Sequence, residues 1–245
     1  GMTADAERAA RVAAVGSGYA AQELDPVRLC NLCGSAHHVE VARVDRYGYP
    51  AVFRVCARCG LGFLSPRLTP AGYGSFYDGV YRPLVSAYHG RLIDAETVQV
   101  EQRVYARELV SFLRAHLDAE PRDLLDLGGS TGVVAEAVRA SFGSAVTVLD
   151  PAPDELAVAA AAGMETIEGF VEDFDPGARR WELVLLCQTI DHLLDVGAVL
   201  RALRGLLAGG ARAFVDVLDV TFMARRRGSV EGAVKIDHPY YLTRD

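Results

Sequence analysis

The chain has 245 residues, 51% of them hydrophobic and 23% charged, with a formal net charge of -7. That length can bury a full core and carry one small appendage, while the acidic balance counts against nucleic acid as a main partner, because phosphate contacts need clustered Lys and Arg. The sequence has no run of ~18 apolar residues and no basic segment leading into an apolar one at the N-terminus, so no membrane or secretory signal is read and a cytoplasmic protein is expected.

Four zones follow in chain order. Residues 1–27 are an Ala-rich tail expected to be a loose helix, and Gly1 before Met2 has the form of a tag remnant. Residues 28–68 hold four of the five cysteines around two alternating segments, Val39 and Val41 on one and Val52 and Val55 on the other. The turn-like Arg46-Tyr47-Gly48-Tyr49-Pro50 joins them, which predicts a hairpin. Residues 69–120 form a tyrosine-rich connector and a long helix through Val104, Leu109, Val110, Leu113 and Leu117. In residues 121–245 short apolar runs alternate with helical segments, which predicts an α/β fold: a mostly parallel sheet with flanking crossover helices.

The cysteine spacing is the sharpest local signal. Cys30-x2-Cys33 is followed after 22 residues by Cys56-x2-Cys59, with Gly34 and Gly60 just beyond the pairs. In a chain without an export signal such cysteines are expected to be thiols. Two knuckles of this kind bring four thiolates to tetrahedral positions around Zn(II), giving a small zinc-ribbon-like module. A four-thiolate site leaves no open position, so the metal is expected to be structural. His37 and His38 are then strand residues and not ligands.

The second signal is Leu124-Leu125-Asp126-Leu127-Gly128-Gly129-Ser130-Thr131-Gly132, a strand entering a glycine-rich turn before a helix from Val133 to Phe142. The strand Ala145 to Leu149 ends in Asp150, about 20 residues on, where an acid can accept both hydroxyls of a ribose. Asp126 precedes the first glycine by two positions. A carboxylate there opposes a pyrophosphate but suits a ligand carrying an ammonium and a sulfonium.

In these respects Asp126 to Gly132 resembles motif I of class I S-adenosylmethionine-dependent methyltransferases, and Asp150 resembles their ribose-binding acid. The resemblance continues through the strand Trp181 to Leu186 into Gln188-Thr189-Ile190-Asp191-His192-Leu193-Leu194-Asp195, then a helix Val199 to Leu207, the turn Gly209-Gly210 and a strand Ala211 to Leu218. It implies a Rossmann-like domain with Asp126, Gly128, Gly129, Ser130, Gly132, Asp150 and Gln188 at the cofactor. Phe170 stands where an acidic adenine contact is usual, so the adenine pocket is expected to form by packing. Upstream, Cys56 to Pro66 followed by Phe76-Tyr77-x3-Tyr81 looks like the zinc-module junction of a methyltransferase group that includes C-methyltransferases of nucleotide-linked deoxysugars. Tyr77 and Tyr81 are candidates to close over the methionine moiety, or else amphipathic packing residues. In the sugar enzymes a tyrosine and a Glu-His pair follow the fifth strand. Asp237-His238 matches the pair, whereas Lys235 stands in place of the tyrosine.

Methyl transfer is mainly in-line positioning, with a general base wherever the acceptor loses a proton. His238 and His192 are the candidates of suitable class, with Asp237 and Asp191 beside them, and each histidine is equally read as hydrogen-bonded packing. Cys187 reads as an inert core thiol, and Arg225-Arg226-Arg227 as a solvated run or a phosphate contact. Class I sheets normally gain a sixth and an antiparallel seventh strand. Only Asp219 to Asp245 follows the fifth here, so the sheet is expected to be incomplete or the protein longer than this chain. The leading reading is methyl transfer to a small polar acceptor at carbon or oxygen. An RNA methyltransferase using the zinc module and a silent cofactor-binding protein are the alternatives.

Overall fold

The computed structural model describes residues 3–16, 18–19 and 22–243, so the proposed tag remnant at Gly1 and Met2 lies outside the described residues. The chain forms two compact units. One comprises Gly1–Ala95 and Val217–Asp245, the other Glu96–Asp216.

The first unit opens with α1 (Ala4–Val15), a defined helix whose Thr3 side chain accepts the Ala6 N–H and whose end is closed by a left-handed Gly16. Strand β1 (Leu24–Asp25) pairs antiparallel with β5 (Arg67–Leu68). Between them lie β2 (His38–Ala42), β3 (Phe53–Cys56) and β4 (Gly62–Leu64), an antiparallel meander. The expected hairpin is β2–β3, with an irregular register between Glu40 and Ala42. The tyrosine-rich connector is helical: α2 (Pro70–Gly79), started by Thr69 capping the Gly72 N–H, and α3 (Tyr81–His89), stopped by a left-handed Gly90.

The second unit is an α/β layer structure. The long helix α4 (Ala95–His116) leads into β6 (Asp123–Leu127), α5 (Val133–Phe142), β7 (Ala145–Asp150), α6 (Pro153–Ala161), β8 (Glu165–Glu168), β9 (Trp181–Leu186), α7 (Val196–Leu206) and β10 (Leu207–Val215). The sheet order is β10-β9-β6-β7-β8 and every pairing is parallel. Central β6 and β9 are buried along almost their whole length, as strands covered on both faces must be. Leu109 and Leu113 of α4, Val134 and Val138 of α5 and Leu156 of α6 pack with Leu124, Val148, Leu183 and Leu185 of the sheet in one core. The fifth strand starts at Leu207, earlier than expected. The Gly209-Gly210 pair therefore falls within it, at a register shift between Leu207 and Arg212.

The remaining segment returns to the first unit. It contains α8 (Val220–Arg227), capped by Asp219, and β11 (Tyr240–Tyr241), which pairs antiparallel with β4 through Tyr240 opposite Phe63 and Tyr241 opposite Gly62. Where a sixth and seventh strand would extend a full class I sheet, the parallel sheet has five strands among the described residues. No helix among them is long and apolar enough to cross a membrane.

Gly62 is the tightest point of the meander. A Cβ there would lie 2.7 Å from the Phe53 ring and 3.0 Å from the Tyr241 Cβ, and the two rings already pack edge to face at 5.0 Å. Gly62→Ala should destabilise this unit by about 1–3 kcal/mol, the usual range for overpacking. Denaturant unfolding checks this, and an unchanged midpoint would show that the rings yield freely.

Candidate functional site

The carboxyl edge of the parallel sheet gathers the polar groups of the second unit. Strand β6 carries Asp126 into the interior, where it is 1% exposed and neither carboxylate oxygen has a hydrogen-bond partner among the described residues. Burial, and after it the charge of Asp150, pushes its pKa up to about 7. The turn after β6 turns back over this carboxylate through Gly128 and Gly132, both at positive φ. A side chain on Gly128 would strike Thr189 at 2.6 Å, and one on Gly129 would strike Asp126 itself at 2.7 Å. Glycine is thus required by the protein's own packing around the acid.

Asp150 ends β7, one strand away. Its two oxygens accept the Ser130 N–H and the Ala152 N–H, each at 2.9 Å, which joins the turn to the neighbouring strand. Burial raises its pKa against the pull of those amides. Ser130 adopts a positive φ, as does Gln188 just beyond β9, and its hydroxyl bonds Glu155. Two non-glycine residues held in the left-handed region at one sheet edge are the kind of local strain that clusters at binding sites. Asp126, Gly128, Gly129 and Gln188 line a small recess with Gln102 and Tyr105 of α4. The enclosed part measures about 30 Å³, room for a single water, so a larger ligand would have to lie along the open edge of the sheet.

Other expected residues fall around this edge. Phe170 follows β8 and is 60% exposed, a flat apolar surface available for packing. His192 ends a short 3-10 turn, Ile190–His192, after β9, and Asp195 caps α7 by accepting the Ala198 N–H at 2.8 Å. The Cys187 thiol is pushed well up by burial, which disfavours the nucleophilic thiolate. Gln102, Tyr105, Thr189 and Glu155 were not anticipated. The i, i+3 spacing of Gln102 and Tyr105 places them on one helix face, but nothing in the chain says what that face meets.

The first unit holds a second polar cluster. The Lys235 ammonium lies 2.8 Å from Asp237 Oδ2 and 2.7 Å from His238 Nε2, while Asp237 Oδ2 and His238 Nε2 are 3.5 Å apart. Asp237 and His238 are 0% and 5% exposed. Tyr241 brackets Lys235, accepting its N–H and donating to its carbonyl. Tyr77 donates to the Asp237 carbonyl at 3.0 Å and packs against Tyr81 at 5.3 Å. Asp45 anchors the segment from the hairpin turn by accepting the Ile236, Tyr47 and Tyr49 N–H groups.

The four cysteines meet in the same unit. All four sulfurs lie within 4.8 Å of one another, with Cys30–Cys59 at 3.5 Å and Cys33–Cys56 at 3.6 Å. These separations are far beyond a disulfide bond. Gly34 and Gly60 close the knuckles by bonding back to the Cys30 and Cys56 carbonyls. Burial opposes ionisation of Cys56, but the Cys59 and Arg58 amides and the Cys33 and Cys59 thiols outweigh it and hold the thiol below its ordinary value.

With this geometry in view, comparison with known proteins gives a consistent answer. A family model described as a methyltransferase domain matches residues 98–245, and the chain belongs to that family. A ubiquinone biosynthesis O-methyltransferase of Methylobacterium nodulans is 31% identical over 118 residues, 44% of this chain and 45% of that protein. One from Xanthomonas oryzae pv. oryzae is 27% identical over 143 residues, 56% and 59%. The chain thus spans about half the length of the curated relatives it matches. The crystal structure of the plantazolicin methyltransferase BpumL with a pentazolic desmethylPZN analog and SAH aligns at 15% identity with a TM-score of 0.51, covering 67% of this chain and 63% of that one. That likeness is one of fold.

Asp126 makes a signed prediction. Its folded-state pKa of about 7 lies above the ordinary 3.8, so between those values the folded protein binds more protons than the unfolded chain. Its contribution to stability is therefore lost as pH rises through that window. Asp126→Asn should remove this loss and stabilise the ligand-free protein above about pH 7, by no more than about 1.4 kcal/mol for each pH unit of that window, since the amide cannot ionise. Thermal melts of parent and variant from about pH 5 to about pH 8 test it. Curves that stay parallel would show that Asp126 is not the titrating group.

Proposed function

We propose that the chain binds S-adenosylmethionine at the carboxyl edge of its parallel sheet, transfers the methyl group to a small polar acceptor, and holds a structural Zn(II) between its four cysteines. The observation that carries the cofactor reading is Asp126. A carboxylate buried without any donor is costly unless a cationic or donor group completes it, and the same carboxylate would repel the pyrophosphate of a dinucleotide. The family match and the methyltransferase names of the relatives support the same reading.

When bound, the sulfonium supplies an already activated methyl group. The protein's part is then placement. Asp126 takes the cationic methionine end of the cofactor, directly or through a water. Asp150, pre-set by the Ser130 and Ala152 amides, has lone pairs left for the ribose hydroxyls, with Phe170 as the adenine platform and Gln188 at the rim. Ser130 and Gly132 shape the turn. His238 is assigned the proton from the acceptor, taken at Nε2 once the Lys235 ammonium gives up that lone pair, because a neutral imidazole that accepts from Lys235 there carries its own proton on Nδ1. Asp237 balances the charge of the ammonium. The resemblance to sugar C-methyltransferases makes a nucleotide-linked sugar the leading acceptor class, methylated at carbon or oxygen. Lys235 in place of their tyrosine gives this site a cation where they have a phenol.

The cysteine cluster fits zinc by its donor set, since four thiolates satisfy a tetrahedral divalent ion and the amide-to-sulfur contacts offset their charge. It leaves no position for substrate, so the metal's role is to fold the knuckles.

Calorimetric titration of the zinc-loaded protein with S-adenosylhomocysteine should show saturable binding, weakened about tenfold or more in Asp150→Ala, as expected for loss of a charge-assisted hydrogen-bond acceptor. A folded parent that does not bind would sink the cofactor reading. Metal analysis should find about one zinc per chain, lost with the knuckle fold in Cys56→Ser. Full retention of fold after the metal is stripped would remove zinc from the account.

A further inference from the structure

Three arginines from three separate elements converge on one buried ring. Tyr88, in the last turn of α3, is 7% exposed and meets Tyr47 edge to face at 5.3 Å. The guanidinium carbons of Arg8 on α1, Arg46 in the hairpin turn and Arg227 at the end of α8 lie 5.1, 5.5 and 6.0 Å from the Tyr88 ring centroid. Arg227 also donates to the Tyr88 hydroxyl at 3.4 Å.

The ring does not account for this gathering. It has two faces for cations, each interaction is worth only about 0.5–2 kcal/mol, and three like charges brought together repel one another. Carboxylates would relieve the repulsion, and the chain is rich in them. Only Arg8 has one, Asp5 at 3.0 Å on the exposed surface. Arg46 and Arg227 form no ion pair among the described residues, and Arg46 Nε is buried there without an acceptor. Nor is the negative end of α3 the object. Arg11, one turn along α1 from Arg8, already donates to the Ala87 carbonyl at 2.9 Å, and Gly90 closes the helix.

We propose that Arg8, Arg46 and Arg227 form a binding subsite for a small phosphate-bearing anion, with a diphosphate as the chemistry they match best. Planar guanidinium forks engage phosphate oxygens in pairs, and forks arriving from three elements address oxygens on more than one phosphorus. Three cations grouped at one ring suit a compact anion, whereas a nucleic-acid strand needs a row of contacts along its backbone. Of the basic run at 225–227, Arg227 alone contacts the ring. The subsite lies in the first unit and stands whether or not the methyl-transfer reading does.

The test is calorimetric titration of the full, zinc-loaded chain at constant ionic strength with inorganic pyrophosphate and with uridine diphosphate, without S-adenosylmethionine. The parent should bind at least one of them saturably at a single site. Arg46→Gln and Arg227→Gln should each weaken binding ~10-fold or more, the loss expected for a charge-assisted bond, while Arg225→Gln stays within about twofold. Arg227 is exposed, so its variant carries the test if Arg46→Gln fails to fold. Tighter binding of uridine diphosphate than of pyrophosphate supports the subsite with a nucleotide as its source, and the reverse supports it with free phosphate. A folded parent that binds neither probe would overturn the proposal. So would equal losses in Arg225→Gln and Arg227→Gln, or a single-stranded oligonucleotide outbinding both probes.

Discussion

The second unit is organised around a carboxylate that its own strand buries. Asp126 sits among leucines on β6, the middle strand of five, and the turn that follows is packed tightly around it. Gly129 has no side chain because Asp126 occupies the space, Gly128 has none because Thr189 does, and the turn between them and α5 requires positive φ at Gly128, Ser130 and Gly132. Asp150 then holds the turn by the Ser130 amide. A core ordinarily excludes such a group, since an unpaired buried charge costs far more than a buried leucine gains. Here the position is tolerated at a sheet edge where α/β proteins bind ligands. Stability given up at a functional site is a common trade.

The first unit solves a different problem. Its strands are two to five residues long, too short for an independent sheet to bury much apolar surface. Four sulfurs on two knuckles, the return of Tyr240–Tyr241 to the edge of β4, and Asp45 bonded to three amides hold these short strands around a core of Phe53, Phe63, Leu64, Leu68 and Leu84. The same pinning sets out Lys235, Asp237 and His238. Burial pushes the Asp45 carboxyl up to about 7, against the pull of its three amides, so the anchor carries its own sensitivity to pH.

Much of this was legible in the chain. Short, mostly apolar runs marked β6, β7 and β9 because strands covered on both faces need no polar alternation. The C-x2-C pairs marked the knuckles because metal geometry fixes the spacing of ligands within a turn. The acid after β7 was legible for the same local reason, since strand, turn and helix follow one another directly. Less legible were the helices α2 and α3. Their tyrosines and glycines are weak helix formers, and the helices rest on the Thr69 cap and on packing. The early start of β10 is not legible either, because a glycine pair signals a turn unless a bulge absorbs it.

Local order along the chain therefore settled the alternation of strands and helices, the paired knuckles, and the acids at the ends of β6 and β7, since each depends on residues within a few positions of one another. Tertiary structure alone decided that Asp126 has no hydrogen-bond partner among the described residues, that Tyr240–Tyr241 completes the N-terminal sheet, that Lys235 meets both Asp237 and His238, and that Arg8, Arg46 and Arg227 share one ring. The sheet pairing and the shared ring join residues far apart in sequence, and the meeting of Lys235, Asp237 and His238, though close in the chain, depends on a segment pinned from distant Asp45; burial and charge act across space with no trace in spacing.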